Sequence, residues 1–276
     1  MNSLITGSSG MLGSDIAHEF KNTQKGFKAY SLNKKQLDIT KTHDILKNFR
    51  KIKPGIVINC AAYTDVDGSE SNRKLALNVN AIAVKNLAKA CRKFGSAMVH
   101  FSTDYVFDGK NKNGYREDSR KNPINYYGYT KSMGEKYIEE MLDNYFIIRT
   151  SWLFGKNGKN FVDAIIKKSK DKEIRVVNDQ RGSPTYTKDL ANAAKELIRN
   201  YRYGAYHITN RGACTWFEFA KEILKNANSK TKVIPIKSEE ISRTAKRPRC
   251  SVLINTKFKN KLPFWDNALK RYLGEI

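Results

Sequence analysis

The chain has 276 residues, 40% of them hydrophobic, and 51 Lys and Arg against 27 Asp and Glu, a formal charge of +24. That length suits one large domain or two lobes, and the apolar content excludes a disordered or fibrous chain. No run approaches the roughly 18 apolar residues of a membrane helix, and the first apolar run is too short for a signal peptide, so a cytoplasmic protein without a membrane span is expected.

Four cysteines (60, 91, 214, 250) lack CxxC spacing and four histidines (18, 43, 100, 207) lack metal-ligand spacing, so reduced thiols are expected. The cations are spread along the chain among acids, with short clusters at Lys51 to Lys53 and Arg243 to Arg249. This charge reads as a surface bias that suits phosphate-bearing ligands; without an interleaved aromatic platform, no nucleic-acid partner is expected.

Ser3 to Thr6 reads as the first strand, and Gly7, Gly10 and Gly13 follow it into a helix over Leu12 to Lys21. Glycines so placed permit a tight turn, close approach to a pyrophosphate and close helix packing, with the phosphates at the positive helix end. A strand over Lys28 to Ser31 leads to Asn33-Lys34-Lys35, about 20 residues past Gly13, where an NAD site would carry Asp or Glu. Cations there favour NADPH, with NADH as the alternative.

Further elements are a helix over Thr42 to Arg50, a strand over Ile56 to Asn59 and a helix over Ser71 to Phe94. The last carries Leu75, Val79, Ile82, Leu87 and Ala90 as an apolar stripe to pack on a sheet. A strand over Ala97 to Ser102, a helix over Asn125 to Leu142 and a strand over Tyr145 to Arg149 complete an alternating series. The alternation predicts an α/β fold, a Rossmann-type doubly wound parallel sheet with right-handed connections.

After Trp152 the pattern loosens into helices at Phe161 to Ser169, Thr187 to Arg199 and Trp216 to Lys225, with strands at Ile174 to Val177 and Ala205 to Ile208. The expected division is a cofactor-binding domain over 1–150 and a smaller, mainly substrate-binding lobe over 151–276, with elements near 172–210 returning to the first sheet.

Tyr127 and Lys131 lie four apart on a helix, which brings an ammonium toward a phenol. An adjacent cation is expected to lower the phenol from its usual pKa near 10, so that the tyrosine passes a proton to a carbonyl as hydride arrives. Tyr30 and Lys34 show the same spacing, and only their place in the second-strand region separates them. A hydroxyl beyond the fourth strand, Ser102 or Thr103, would hold the substrate oxygen at the sheet's carboxyl edge.

These segments, together with Asn59 to Asp67, Asn78-Val79-Asn80, Ser102 to Phe107, Arg149 to Trp152, Asn178 to Thr185 and Arg247-Pro248, resemble the extended short-chain dehydrogenase/reductases nearly end to end. Among them the resemblance is to the dTDP-4-dehydrorhamnose reductase family. It implies NADPH-dependent reduction of the 4-keto group of a dTDP-sugar to dTDP-L-rhamnose, for surface polysaccharide. Thr103, Tyr127 and Lys131 would be catalytic. Met11, Leu12, Ala61, Ala62, Tyr63 and Asn80 would join the glycines at the cofactor, with Asp38 and Ile39 near its adenine. Thr64, Val66, Asp104, Tyr105, Trp152, Gln180 and Arg247 would face the sugar nucleotide. The family includes homodimers bridged by magnesium; Asp15, Asp189 and Glu275 fall at comparable places, and surface acids explain them equally. Another nucleotide-sugar reductase or epimerase, or a non-catalytic NADP-binding regulatory subunit, shares the cofactor motifs. Cys60, Gly68 and Ser69 depart from the usual loop residues.

Overall fold

The computed structural model describes residues 1–21 and 28–276. The first half alternates: β1 (Asn2–Thr6), α1 (Met11–Lys21), β2 (Lys28–Leu32), α2 (Thr42–Ile52), β3 (Ile56–Asn59), then α3 (Val66–Ser71), α4 (Arg73–Leu77), a π turn at Asn78–Ile82 and α5 (Ala83–Phe94). Next come β4 (Ala97–Thr103), α6 (Tyr126–Met141) and β5 (Tyr145–Thr150). The remainder comprises β6 (Leu153–Phe154), α7 (Phe161–Lys167), β7 (Glu173–Val177), β8 (Arg181–Gly182), β9 (Thr185–Tyr186), α8 (Thr187–Asn200), β10 (Gly204–His207), β11 (Cys214–Thr215), α9 (Trp216–Asn226), β12 (Lys232–Ile236) and α10 (Trp265–Leu273).

Six strands form one sheet in the order β10-β5-β4-β3-β1-β2, with every pairing parallel. Both faces are covered, which is why β3 and β4 are buried along their whole length and read as apolar runs rather than alternations. Ile16 and Phe20 of α1 and Leu190, Ala194 and Leu197 of α8 pack against Ile5, Ile58, Val99 and Ile148. On the other face Ile45 and Phe49 of α2, Leu87 of α5 and Ile138 of α6 cover Leu4, Val57, Met98 and Ile147. The chain leaves β1 in opposite directions to β2 and to β3, so a crevice opens at the carboxyl ends of β1 and β3, where such sheets bind ligands.

The single helix expected over Ser71 to Phe94 is corrected to two helices, α4 and α5, joined by the π turn, with Ser71 ending α3. A π turn adds one residue to the helical register and rotates everything before it relative to everything after. Leu87 and Ala90 therefore face the core, whereas Leu75 and Ile82 of the expected stripe are exposed and Ala76, Asn80 and Ala81 take the buried positions.

Past Trp152, β10 pairs with β5 in the central sheet, while β7 pairs in parallel with β12 in a separate two-stranded sheet. The expected return of the 174–177 strand to the first sheet is thereby corrected. Its partner β12 contains Pro235, which obscured it as a strand, and an edge position tolerates the missing N–H. Phe154, Tyr186, Phe219, Leu269 and Tyr272 form the core of this lobe. Among the described residues no helix is long and apolar enough to cross a membrane.

Candidate active site

The glycine turn closes at the head of α1, where Gly10 N–H donates to the Gly7 carbonyl at 3.1 Å. Gly7 has φ +65°, and a Cβ there would sit 2.7 Å from the Ala61 nitrogen, so only glycine lets the turn meet the loop after β3. A Cβ on Gly13 would lie 2.1 Å from the Gly7 oxygen, but one on Gly10 would meet only that oxygen, at 3.4 Å, and otherwise project into open space. That open face before a helix N-terminus fits a pyrophosphate. Met11 packs toward Gly155 and Gly158, and Leu12 turns into the core.

Beside this turn, Ser9, Asn33, Lys34, Lys35 and Asp38 line a cavity of about 610 Å³. Asn33 Oδ1 accepts from the Lys35 and Gln36 amides, which leaves both lysine side chains facing outward around the cavity. Asp38 is capped by Thr40, at 2.7 Å for the hydroxyl and 3.0 Å for the amide, while Ile39 is buried in the core beside α2 and α5.

Asn80, carried inward by the π turn, holds the loop after β3. Its Oδ1 accepts from Tyr63 N at 2.9 Å, and its Nδ2 donates to Tyr63 O at 3.0 Å and Thr130 Oγ1 at 3.2 Å. Ala61 and Ala62 are thus fixed between the glycine turn and α6. Thr64 is exposed, and Val66 begins α3 behind its Asp65 cap.

At the end of β4 the two adjacent hydroxyls diverge. Ser102 donates to Glu135 at 2.5 Å, a carboxylate already gripped by Arg149, so it is committed to the interior. Thr103 donates to Asp104 Oδ1 at 3.0 Å, accepts from Tyr105 N at 3.1 Å and lies close enough to the Tyr127 phenol to influence its ionisation. Asp104 Oδ2 is buried without a hydrogen-bond partner, and burial pushes that carboxyl up to about 7.

Tyr127 opens α6, which is capped by Asn125 Oδ1 accepting from Gly128 N at 2.8 Å. Gly128 allows the close approach, since a Cβ would lie 2.1 Å from the Tyr105 carbonyl. The Tyr105 and Tyr127 rings meet edge to face at 6.0 Å. Burial first, then Asp104, raises the Tyr127 phenol well above its usual range. The expected lowering by Lys131 is corrected: Lys131 Nζ turns back to Phe101 O at 2.6 Å and His100 Nε2 at 3.2 Å. The phenol is a neutral acid, and Thr103 is the neighbour that favours its ionisation.

Beyond Tyr105 lies a cavity of about 440 Å³ lined by Val66, Asp67, Tyr105, Phe161, Trp216, Arg243 and Arg247. Ile241, Arg243 and Arg247 also border a larger cavity of about 1040 Å³ that includes Gln180, Arg181, Lys246 and Arg249. Arg247 grips Asp67 through both nitrogens, at 2.9 and 2.6 Å, and ties α3 to the C-terminal loop. Burial and the neighbouring Arg247 lower the Arg243 guanidinium, as two cations share one mouth. Gln180 is buried and donates to Ser238 at 2.8 Å.

Trp152 has φ +48° and stacks on Trp216 at 3.5 Å with rings 6° from parallel. Its ring lies over Gly182, where a Cβ would come within 2.4 Å. Trp216 is the member of the pair that lines the smaller cavity. Sequence reasoning overlooked Trp216, Asp67 and Arg243, for no local spacing connects them to the motifs.

Of the three acids considered for magnesium, Asp189 and Glu275 are taken by cations. Asp189 gives both oxygens to Arg271, at 2.8 and 2.6 Å, and accepts from Asn210; Glu275 accepts from Tyr186 and Lys188. Asp15 is buried, which raises its pKa. Among the described residues no group of three or more His, Cys, Asp or Glu could hold a metal.

Residues 1–276 match the family described as RmlD substrate binding domain. A dTDP-4-dehydrorhamnose reductase of Streptomyces griseus is 39% identical over 96% of this chain and 91% of its own length. The spore coat polysaccharide biosynthesis protein SpsK of Bacillus subtilis is 38% identical over 99% of this chain and 96% of its own. A crystal structure of dTDP-4-dehydrorhamnose reductase from Bacillus anthracis in complex with NADP superposes with a TM-score of 0.95 at 41% identity, covering 100% of this chain and 99% of that one.

Proposed function

The chain belongs to the RmlD substrate binding domain family, and on that premise we propose that it is an NADPH-dependent oxidoreductase reducing the 4-keto group of dTDP-4-dehydro-6-deoxy-L-mannose to dTDP-L-rhamnose. The observation that carries this reading is the meeting of Thr103 and Tyr127 at the carboxyl end of β4, beside the crevice headed by the glycine turn. The related reductase crystallised with NADP supports the cofactor.

The Gly7 to Gly13 turn would hold the pyrophosphate, and Lys34 and Lys35 would attract the 2′-phosphate. NADPH supplies the hydride that reduces C4. Tyr127 hands its proton to the C4 oxygen, so a C–H and an O–H bond form as the carbonyl π bond breaks, and the phenolate regains its proton from solvent. Thr103, which donates to Asp104 in the resting site, can turn its hydroxyl to the phenolate as the proton leaves. By the resemblance to the family, Lys131 would hold the nicotinamide ribose. Asp104 is buried behind Thr103, with one oxygen taken by the Thr103 hydroxyl. Arg243 and Arg247 face the diphosphate, and the Trp216 ring, backed by Trp152, gives an apolar wall.

Residues 1–150 with β10 serve the cofactor in this reading, and the elements after 151 serve the sugar nucleotide. The enzyme would act in the cytoplasm as a homodimer, which sedimentation of the purified protein tests. Oxidation of NADPH followed at 340 nm with the ketosugar, and product identification, test the activity; tight NADPH binding with no turnover would show a non-catalytic subunit instead.

A further inference from the structure

A chain of buried polar groups runs beneath the crevice from β1 to α6. Thr6 Oγ1 donates to Asn59 Oδ1 at 2.6 Å, and Ala61 N donates to the same oxygen at 3.3 Å. These two donors orient the amide, so its NH2 faces His100, with Nδ2 3.1 Å from Nδ1 of the ring. An amide nitrogen only donates, so Nδ1 accepts, and a neutral imidazole that accepts at Nδ1 carries its hydrogen on Nε2. His100 is neutral, because burial and then Lys131 hold it well below the usual histidine range. Its Nε2–H is therefore turned on Lys131 Nζ, 3.2 Å away.

An ammonium has three donors and no acceptor, so it faces this N–H unfavourably, whereas a neutral amine accepts from it. The other ionisable neighbours pull the opposite way. Glu135, further along α6, and Cys60, after β3, favour the charged lysine, but burial outweighs them and Lys131 is lowered to about 8. Glu135 is itself engaged by Arg149, Lys121 and Ser102. Tyr127, one turn back, is neutral, its phenol raised by burial and by Asp104.

We propose that His100 is a positioning residue of the cofactor site: its tautomer, imposed by Asn59, holds an N–H against Lys131 and makes the lysine's charge, and with it the grip on the dinucleotide ribose, depend on pH. The proposal rests on the reading of Lys131 as the ribose ligand. A charged donor binds a hydroxyl more strongly than a neutral one, so losing the charge weakens docking. His100 touches neither cofactor nor substrate and acts through Lys131.

The test needs no sugar, so its failure is distinct from failure of the proposed reduction. In histidine-15N-labelled protein, His100 should show an unprotonated Nδ1 and a protonated Nε2. The NADPH dissociation constant, followed by fluorescence from pH 6.5 to 9.5, should rise severalfold with a midpoint set by Lys131. Asn59→Asp presents only acceptors, so His100 moves its hydrogen to Nδ1, Nε2 accepts from the ammonium, and the midpoint shifts up by about one unit. His100→Gln, whose carbonyl oxygen can face Lys131, should shift it the same way and serves if circular dichroism shows Asn59→Asp unfolded. A protonated Nδ1 in the wild type, a flat binding profile, or an unmoved midpoint in a folded variant overturns the proposal; if neither variant folds, the wild-type tautomer and profile decide it.

Discussion

Lys131 lies one helical turn after Tyr127 on α6, yet its Nζ donates to the Phe101 carbonyl at 2.6 Å while the phenol has Thr103 as the neighbour that favours its ionisation. The two side chains thus answer to different partners on β4, one to its backbone and the other to its last hydroxyl.

Their losses should separate accordingly. Tyr127→Phe keeps the buried ring and removes the proton, so kcat should fall by roughly 10² to 10⁴ with the NADPH dissociation constant nearly unchanged. Lys131→Met, matched in length, should weaken NADPH binding as well. Steady-state kinetics and fluorescence titration check both; full activity in Tyr127→Phe would remove it as proton donor.

Thr103→Val conserves shape and deletes the hydroxyl that donates to Asp104 beside Tyr127. The expected result is a fall in kcat of about 10- to 100-fold, the range of a lost transition-state hydrogen bond. The matched change Ser102→Ala removes one of the two donors to an oxygen of buried Glu135 and should act on thermal stability instead.

Lys34→Ala with Lys35→Ala should raise KM for NADPH roughly tenfold and leave KM for NADH nearly unchanged, since exposed charge pairs contribute up to about 1 kcal/mol each. Added salt should reduce the difference between wild type and variant. Equal effects on the two cofactors would remove these lysines from the 2′-phosphate.

Acid should weaken the fold in two stages. His207, lowered to about 4 by burial and then by Arg149, is neutral in the folded protein and takes a proton more readily when unfolded, so stability falls as pH drops from 6.5 to about 4. Glu135 is held at about 2 against the desolvation that burial imposes, chiefly by Arg149, and its contribution, present above 4.5, is lost between 4.5 and 2. Arg149→Met removes the chief partner of buried Glu135, leaving Lys121 as its remaining cation, and should cost up to about 3–5 kcal/mol at neutral pH. Thermal unfolding across pH 3 to 8 reads both effects.

Gly128→Ala tests the packing behind the site. The added Cβ meets the Tyr105 carbonyl at 2.1 Å, a backbone atom that cannot yield without moving α6 or the end of β4. Activity should drop more steeply than in a surface Gly→Ala change such as Gly274→Ala, whose nearest neighbours stand 3.6 Å away.

The sequence by itself determined the alternating elements up to Tyr145, the glycine turn and the tyrosine at the head of a helix, because helix and strand periodicity and turn chemistry are local. It left Ser102 and Thr103 unresolved, placed a cation beside the phenol that instead turns to Phe101, and drew one helix where a π turn rotates Asn80 inward. Tertiary structure alone decided those points, since each depends on which distant group fills the adjoining space: Arg149 and Glu135 claim Ser102, and the crossing of α6 over β4 leaves Thr103 for Tyr127. The Trp152 and Trp216 stack, the Asp67 and Arg247 fork and the Asn59 to His100 to Lys131 chain join residues tens to nearly two hundred positions apart. No periodicity spans such separations; packing and the need to satisfy buried polar groups do.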